Sequence, residues 1–203
     1  DSYKNIPVDY YVEKKYAPYA KDIFGNTPEM LAFFSKITGV EYPWNKYAQI
    51  VGRDYVSGAM ENTTAVIHGE KAYQMPGQLI DENIQENTIA HEAFHHWFGD
   101  LVTAESWSNL TVNESFANYS EYLWREYKYG KNDADAHLLA TIEGYKNGQN
   151  FDKHLVRFKY QDKEVEYRSL KDMIALQGRM AKDLGINSAG GSKRTVAVFN
   201  SGL

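Results

Sequence analysis

His91 and His95 lie four residues apart in the stretch TIAHEAFHHWFGD, residues 88–100, and Glu92 directly follows the first histidine. On an α-helix a four-residue step turns the chain by about 400°, so the two imidazoles share one face about 6 Å apart along the axis and can reach one metal ion. Glu92 falls beside that face, where a carboxylate can hold a water on the ion and take its proton. Charged and half-charged groups are costly in an apolar stretch unless something pairs with them, and a cation would be that partner. The chain contains no cysteine, so nitrogen and oxygen must supply the ligands and no thiol nucleophile is available. A catalytic zinc takes three protein ligands plus water. Glu114, in LTVNESFANYSEYL, has eighteen residues between it and His95, enough for a reversal through GDLVTAESWSN and a second helix lying back on the first. Glu121 follows seven residues later, on the same face of that second helix, where it could orient a ligand imidazole from behind.

The other histidines read as structural. His96 points off the ligand face, and His68, His137 and His154 have no ligand-like spacing and are expected at the surface or in packing. Phe94, Trp97 and Phe98 are expected in the core.

These side chains need helices to hold them, and the pattern supplies five. Thr27, Pro28 and Glu29 read as N-cap, first helical position and early acid, followed by Met30, Leu31, Phe33, Phe34 and Ile37 at helical spacing and a stop at Gly39. The motif helix is expected from Ile84 to Phe98, ending at Gly99. A second runs from about Thr111 to Tyr127, closed by Gly130, and a third from Asp133 to Lys146, stopped by Gly148. Ser169 with Asp172 resembles a capping box ahead of a further helix that ends near Leu184. Ahead of the motif, residues 47–54 (YAQIVGRD) and 63–68 (TTAVIH) favour strands, with residues 56–59 as a strand edge or turn between them. Strands followed by helices indicate an α+β domain.

The bulk properties narrow the function classes. With 203 residues, 43% hydrophobic and 24% charged, the chain can bury a sizeable core. A net charge of −5 without a basic stripe argues against a nucleic-acid partner. No apolar run is long enough for a membrane span, and no leader opens the chain, so a cytosolic protein and an exported one with its leader removed both remain open. The closing stretch NSAGGSKRTVAVFNSGL is expected to be a flexible tail.

HEAFHHWFGD, Glu114 in VNESFA downstream and GAMEN at 58–62 upstream together resemble the aminopeptidase N (membrane alanyl aminopeptidase) family of zinc exopeptidases. YPWNKYAQIV ahead of GAMEN extends the likeness, which runs from about Ile6 to about Glu164. The resemblance implies an α+β, thermolysin-like gluzincin catalytic domain over residues 1–165, with a small mixed β-sheet followed by a helical half carrying HExxH. Residues 166–203 would form a C-terminal helix and tail whose relation to the family is open. It implies one Zn2+ held by His91, His95 and Glu114, with Glu92 as general base and Glu61 of GAMEN binding the free α-amino group of a peptide substrate. A fixed carboxylate facing a cationic N-terminus aligns the first peptide bond and rejects blocked chains. Backbone groups of Gly58 and Ala59 would align the peptide along a strand edge.

The sequence also departs from that family. Its members carry a tyrosine roughly sixty residues past the glutamate ligand, whose hydroxyl stabilises the oxyanion, a contact worth about 3 kcal/mol. Residues 174–180 read IALQGRM here, and Tyr167 is the candidate substitute. Members also have a β-rich domain before the catalytic one and a helical domain after it, against which this chain would pack. A zinc-binding module with impaired turnover is therefore the second reading. A zinc epoxide hydrolase, which shares the same motifs, is the third.

Overall fold

The computed structural model describes residues 1–80, 82–146, 157–160 and 163–166. They divide into two compact units, Asp1–Ala134 and Asp135–Leu203.

The first unit is built on a five-stranded mixed sheet. Its strands are β1 (Ser2–Tyr3), β2 (Ile6–Tyr11), β3 (Tyr47–Val51), β4 (Ala59–Met60) and β5 (Ala65–His68), in the spatial order β1-β2-β3-β5-β4. The three central strands are parallel and the two edge strands antiparallel to them. A parallel pair needs a long crossover, and the segment between β2 and β3 provides it as α1 (Ala20–Phe24) and α2 (Thr27–Thr38). No strand is expected from sequence before Tyr47, yet β2 is central. Its signal was the alternation of Ile6, Val8 and Tyr10 against exposed Pro7, Asp9 and Tyr11.

Both expected strands are shorter than their β-branched runs. β3 stops at Val51, three residues ahead of Asp54, whose φ is +51°, and β5 starts only after Thr64, whose φ is +64°. α2 ends where expected, at Gly39 in the left-handed conformation. Its start is corrected by one residue: Asn26 is the cap, and Thr27 is already helical. The Thr27 hydroxyl donates to the Phe24 carbonyl at 2.6 Å and accepts from Gln49 at 2.8 Å, so it joins a buried polar chain instead of capping. His68 extends this chain, its Nε2 lying 2.9 Å from the Gln49 carbonyl oxygen.

The helical part comprises α3 (Pro76–Leu79), α4 (Glu86–Phe94), α5 (Thr111–Tyr129) and α6 (Lys131–Lys146). α4 carries His91 and Glu92, has His95 as its C-cap, and packs on α2 and α5. Small buried residues line the α4–α5 contact (Ala90, Ala93, Ala117 and Ser120), which lets the two helices approach closely. The start of α4 is pinned by Glu86, a buried carboxylate that accepts from Asn26 at 2.9 Å, Trp124 at 2.8 Å and Tyr129 at 2.6 Å. One side chain thereby ties α2, α4 and α5 together. Phe34 packs edge-on against both Phe94 and Trp97, and all three are buried, which confirms Phe94 and Trp97 as core.

α4 is shorter than its apolar pattern. It ends at Phe94 with His95 as C-cap, because the chain turns back: Asp100 N–H donates to the His95 carbonyl, Val102 N–H to Trp97 and Gly99 N–H to Val102. The one-turn relation between the histidines survives, since His95 N–H still donates to the His91 carbonyl at 3.2 Å.

In the second unit the rest of α6 and an antiparallel hairpin, β6 (Arg157–Tyr160) with β7 (Lys163–Glu166), are described. His154, Tyr167, the helix expected after Ser169 and the expected tail lie outside the described residues.

Candidate metal centre

The last turn of α4 and the first turn of α5 bring three donors together. His91 Nε2 and His95 Nε2 are 3.0 Å apart, and Glu114 Oε2 lies 3.4 Å from the former and 3.8 Å from the latter. Each imidazole is oriented by its other nitrogen. His91 Nδ1–H donates to Glu121 Oε1 at 3.0 Å, and His95 Nδ1–H to the Phe98 carbonyl at 3.0 Å. These bonds turn both Nε2 atoms towards one point, where a single cation would be held by both nitrogens. A tetrahedral site with bonds of about 2.0–2.1 Å has edges of about 3.3 Å, which the three separations bracket. The residues present therefore fit a divalent ion with nitrogen and oxygen ligands, and His91, His95 and Glu114 form one of the two such groups among the described residues.

Glu121 holds the place expected for an orienting carboxylate. The Phe98 carbonyl holds the other imidazole and had no sequence signal beyond the glycine that follows it. Gly99, at φ +147°, is needed there: a Cβ would lie 3.0 Å from His95 Nδ1 and 3.0 Å from the His95 carbonyl oxygen.

The electrostatics follow from packing carboxylates around buried imidazoles. Burial works against a charge on His91, but Glu114 and Glu121 outweigh it and lift its pKa to about 10. His95 moves the opposite way, lowered by burial and by the neighbouring His91 charge. His91 in turn holds Glu114 below the usual carboxylate range against partial burial. Glu92 is buried and its Oε2 has no hydrogen-bond partner. Burial raises its pKa to about 8, with Glu61, Glu114 and Glu121 adding to the rise and His91 opposing it. A carboxyl poised near neutrality beside a candidate metal site is suited to move a proton.

Glu61 reaches the same place from the sheet. Donor atoms of Glu61, Glu92 and His95 all lie within 4.8 Å of one another. Glu61 follows β4, the edge strand lying against α4. Gly69 N–H donates to the Gly58 carbonyl at 2.8 Å, and Ala59 pairs with His68. In an antiparallel pair successive residues turn their backbone groups to opposite sides, so those of Gly58 face β5 and those of Ala59 face the open edge. His96 is buried and bonded at both nitrogens to backbone, as a structural residue should be: Nδ1–H donates to the Glu92 carbonyl at 3.2 Å, and Nε2 accepts from Thr64 N–H at 3.0 Å.

Residues 23–175 match the model of the peptidase family M1 domain, three-quarters of the chain. The chain belongs to peptidase family M1. M1 peptidases are metallopeptidases with a gluzincin fold, and the small mixed sheet followed by helices agrees with that fold. The chain is 43% identical over 104 residues to aminopeptidase N of Canis lupus familiaris, covering 50% of the chain and 11% of that protein. It is 36% identical over 122 residues to aminopeptidase N of Streptomyces lividans, 58% of the chain and 14% of the relative. Against glutamyl aminopeptidase of Bos taurus it is 36% identical over 128 residues, 60% of the chain and 13% of the relative. It thus spans about an eighth of the length of these M1 relatives. Among the described residues no helix is long and apolar enough to cross a membrane.

Proposed function

We propose that the chain is the core of a zinc aminopeptidase domain that removes the first residue of peptides with a free N-terminus. The observation that carries this reading is the His91–His95–Glu114 cluster, with Glu92 and Glu61 converging on it from two different elements. His91, His95 and Glu114 would hold one Zn2+. Bound there, zinc supplies Lewis acidity towards the scissile carbonyl and lowers the pKa of a water.

The chain's own groups do the rest. Glu92, whose unpartnered Oε2 lies deep in the site, takes the proton of the attacking water and passes it to the leaving amine. Glu121 and the Phe98 carbonyl keep the two imidazoles turned inward. Glu61 binds the substrate ammonium, which sets the first peptide bond at the centre and excludes blocked chains. The backbone of Ala59, on the open edge of β4, aligns the substrate main chain, and Gly58 contributes by holding that strand to β5. Tyr167 remains the candidate oxyanion donor. The domains before and after this one would complete the substrate cleft.

The test is hydrolysis of aminoacyl chromogenic substrates by the protein, its loss on chelation and its recovery with zinc. Glu92→Gln is expected to keep one equivalent of zinc and lose at least about a hundredfold in kcat; loss of the metal in that variant would overturn the role given to Glu92. Zinc bound at one equivalent by the parent without turnover would favour the impaired module. Equal cleavage of free and acetylated peptides would remove the amine anchor.

A further inference from the structure

The turn that carries the chain from Glu61 into β5 is fastened to the metal helix at one residue, Thr64. Its N–H donates to His96 Nε2 at 3.0 Å and its carbonyl accepts from Ala48 N–H at 3.0 Å. The turn is closed by Ala65 N–H donating to the Asn62 carbonyl at 2.8 Å. Thr64 sits at φ +64°, an uncommon and costly conformation for a β-branched residue, held only where the surroundings over-determine it. His96 is that constraint on the N–H side. It is fully buried, with Tyr47 and Tyr42 rings at 4.9 and 5.6 Å and the Trp44 indole donating to its carbonyl at 3.2 Å. Its Nδ1–H is anchored on the carbonyl of Glu92. One imidazole therefore bridges the helix bearing His91 and Glu92, with His95 at its cap, to the turn three residues after Glu61. On the same turn, the Thr63 side chain faces the carboxyl of Asp100 and lowers its pKa against the rise that burial causes, so the 61–64 segment also meets the chain after α4.

We infer that His96 is a positioning residue that sets the distance of Glu61 from the metal centre, and so governs how well the site captures a free amino terminus. The inference rests on the amine-anchor reading of Glu61. The acceptor at Nε2 does the positioning, so the two amides that mimic one imidazole nitrogen each should separate. In His96→Asn the side-chain N–H reaches the Glu92 carbonyl and the tie to Thr64 is lost. In His96→Gln the longer side chain returns a carbonyl oxygen to Thr64 N–H.

The experiment measures kcat and KM on an aminoacyl chromogenic substrate in the full-length protein, with zinc stoichiometry read separately and Glu61→Ala alongside. In His96→Asn, KM is expected to rise about tenfold, the equivalent of one lost hydrogen bond. Its kcat should stay within about threefold, with one equivalent of zinc retained, and His96→Gln should bring KM back to within about threefold of the parent. A parental KM in His96→Asn overturns the inference. So does an equal defect in His96→Gln, which would assign the effect to the packed ring. If His96→Asn does not fold, Thr63→Val, at an exposed position, loosens the same turn from Asp100 and must raise KM in the same direction; a parental KM there is equally fatal. Failure of the amine-anchor reading is distinguishable, since Glu61→Ala would then leave KM unchanged. In that event the crystal structure of His96→Asn decides, supporting the positioning role if Glu61 has moved by about 1 Å or more and overturning it if Glu61 has not moved.

Discussion

Replacing Gly99 by alanine strikes the candidate metal site through a residue that offers no ligand. At φ +147° an alanine costs about 1–3 kcal/mol in backbone strain alone. Its Cβ would stand 3.0 Å from His95 Nδ1, 3.0 Å from the His95 carbonyl oxygen and 3.4 Å from His95 Cβ. Something must yield by a few tenths of an ångström. The backbone at His95 is held by the bond from Asp100 N–H, so the imidazole gives way and its Nδ1–H bond to Phe98 is stretched, costing about 1 kcal/mol more. Gly99→Ala is therefore expected to destabilise the metal-free protein by about 2–4 kcal/mol and to weaken zinc binding by about tenfold or more, as loss of an orienting bond does. Urea unfolding followed by fluorescence measures the first, and competition with a chromogenic chelator the second. Gly77→Ala is the control, since nothing lies within 4 Å of its added Cβ. If Gly99→Ala unfolds within about 0.5 kcal/mol of the parent, like an ordinary surface change, and holds zinc equally well, the reasoning from Gly99 to His95 is wrong.

Glu121→Ala removes the acceptor of His91 Nδ1 and should lower zinc affinity by about 10–100-fold; chelator competition within threefold of the parent would count against its role. His68 governs part of the acid stability. Burial lowers its pKa from 6.5 to about 4, so the folded state keeps it neutral where the unfolded chain binds a proton. The stability it contributes is present above pH 6.5 and is lost as pH falls from 6.5 to 4, amounting to about 3 kcal/mol at most. His96, also lowered to about 4 by burial, acts in the same direction. Urea midpoints at pH 4.5 and 7 should differ less in His68→Leu than in the parent, and an unchanged difference would show that His68 does not carry this term.

α2, α4, α5 and α6, and the spacing of the candidate ligands along them, were legible because each depends on a pattern within one segment. α5 and its stop at Gly130 follow from periodicity and a glycine, and the side-by-side packing of α4 and α5 places Glu114 and Glu121 where a reversal predicts. The features that escaped depend on contacts between segments. β2 is six residues long, includes Pro7, and earns its central place only by pairing with Tyr47–Ile50 forty residues away. The end of α4 lies inside an apolar run that continues the helical pattern, and only the return bonds from Asp100 and Val102 stop it. His96 was readable as structural, but its hold on Thr64 was not, because Thr64 adopts its left-handed conformation without a glycine to mark it.

In the proposed function, the brevity of β4 would limit how the protein reads a peptide substrate. With two residues in the strand, and only Ala59 turning its main chain outward, a bound peptide gains one rung of pairing, worth about 1 kcal/mol. If the proposed function holds, nearly all discrimination would then come from the charged head of the peptide and the bond being cut. A domain built this way would be indifferent to residues beyond the second, and would shorten many unrelated peptides from the same end.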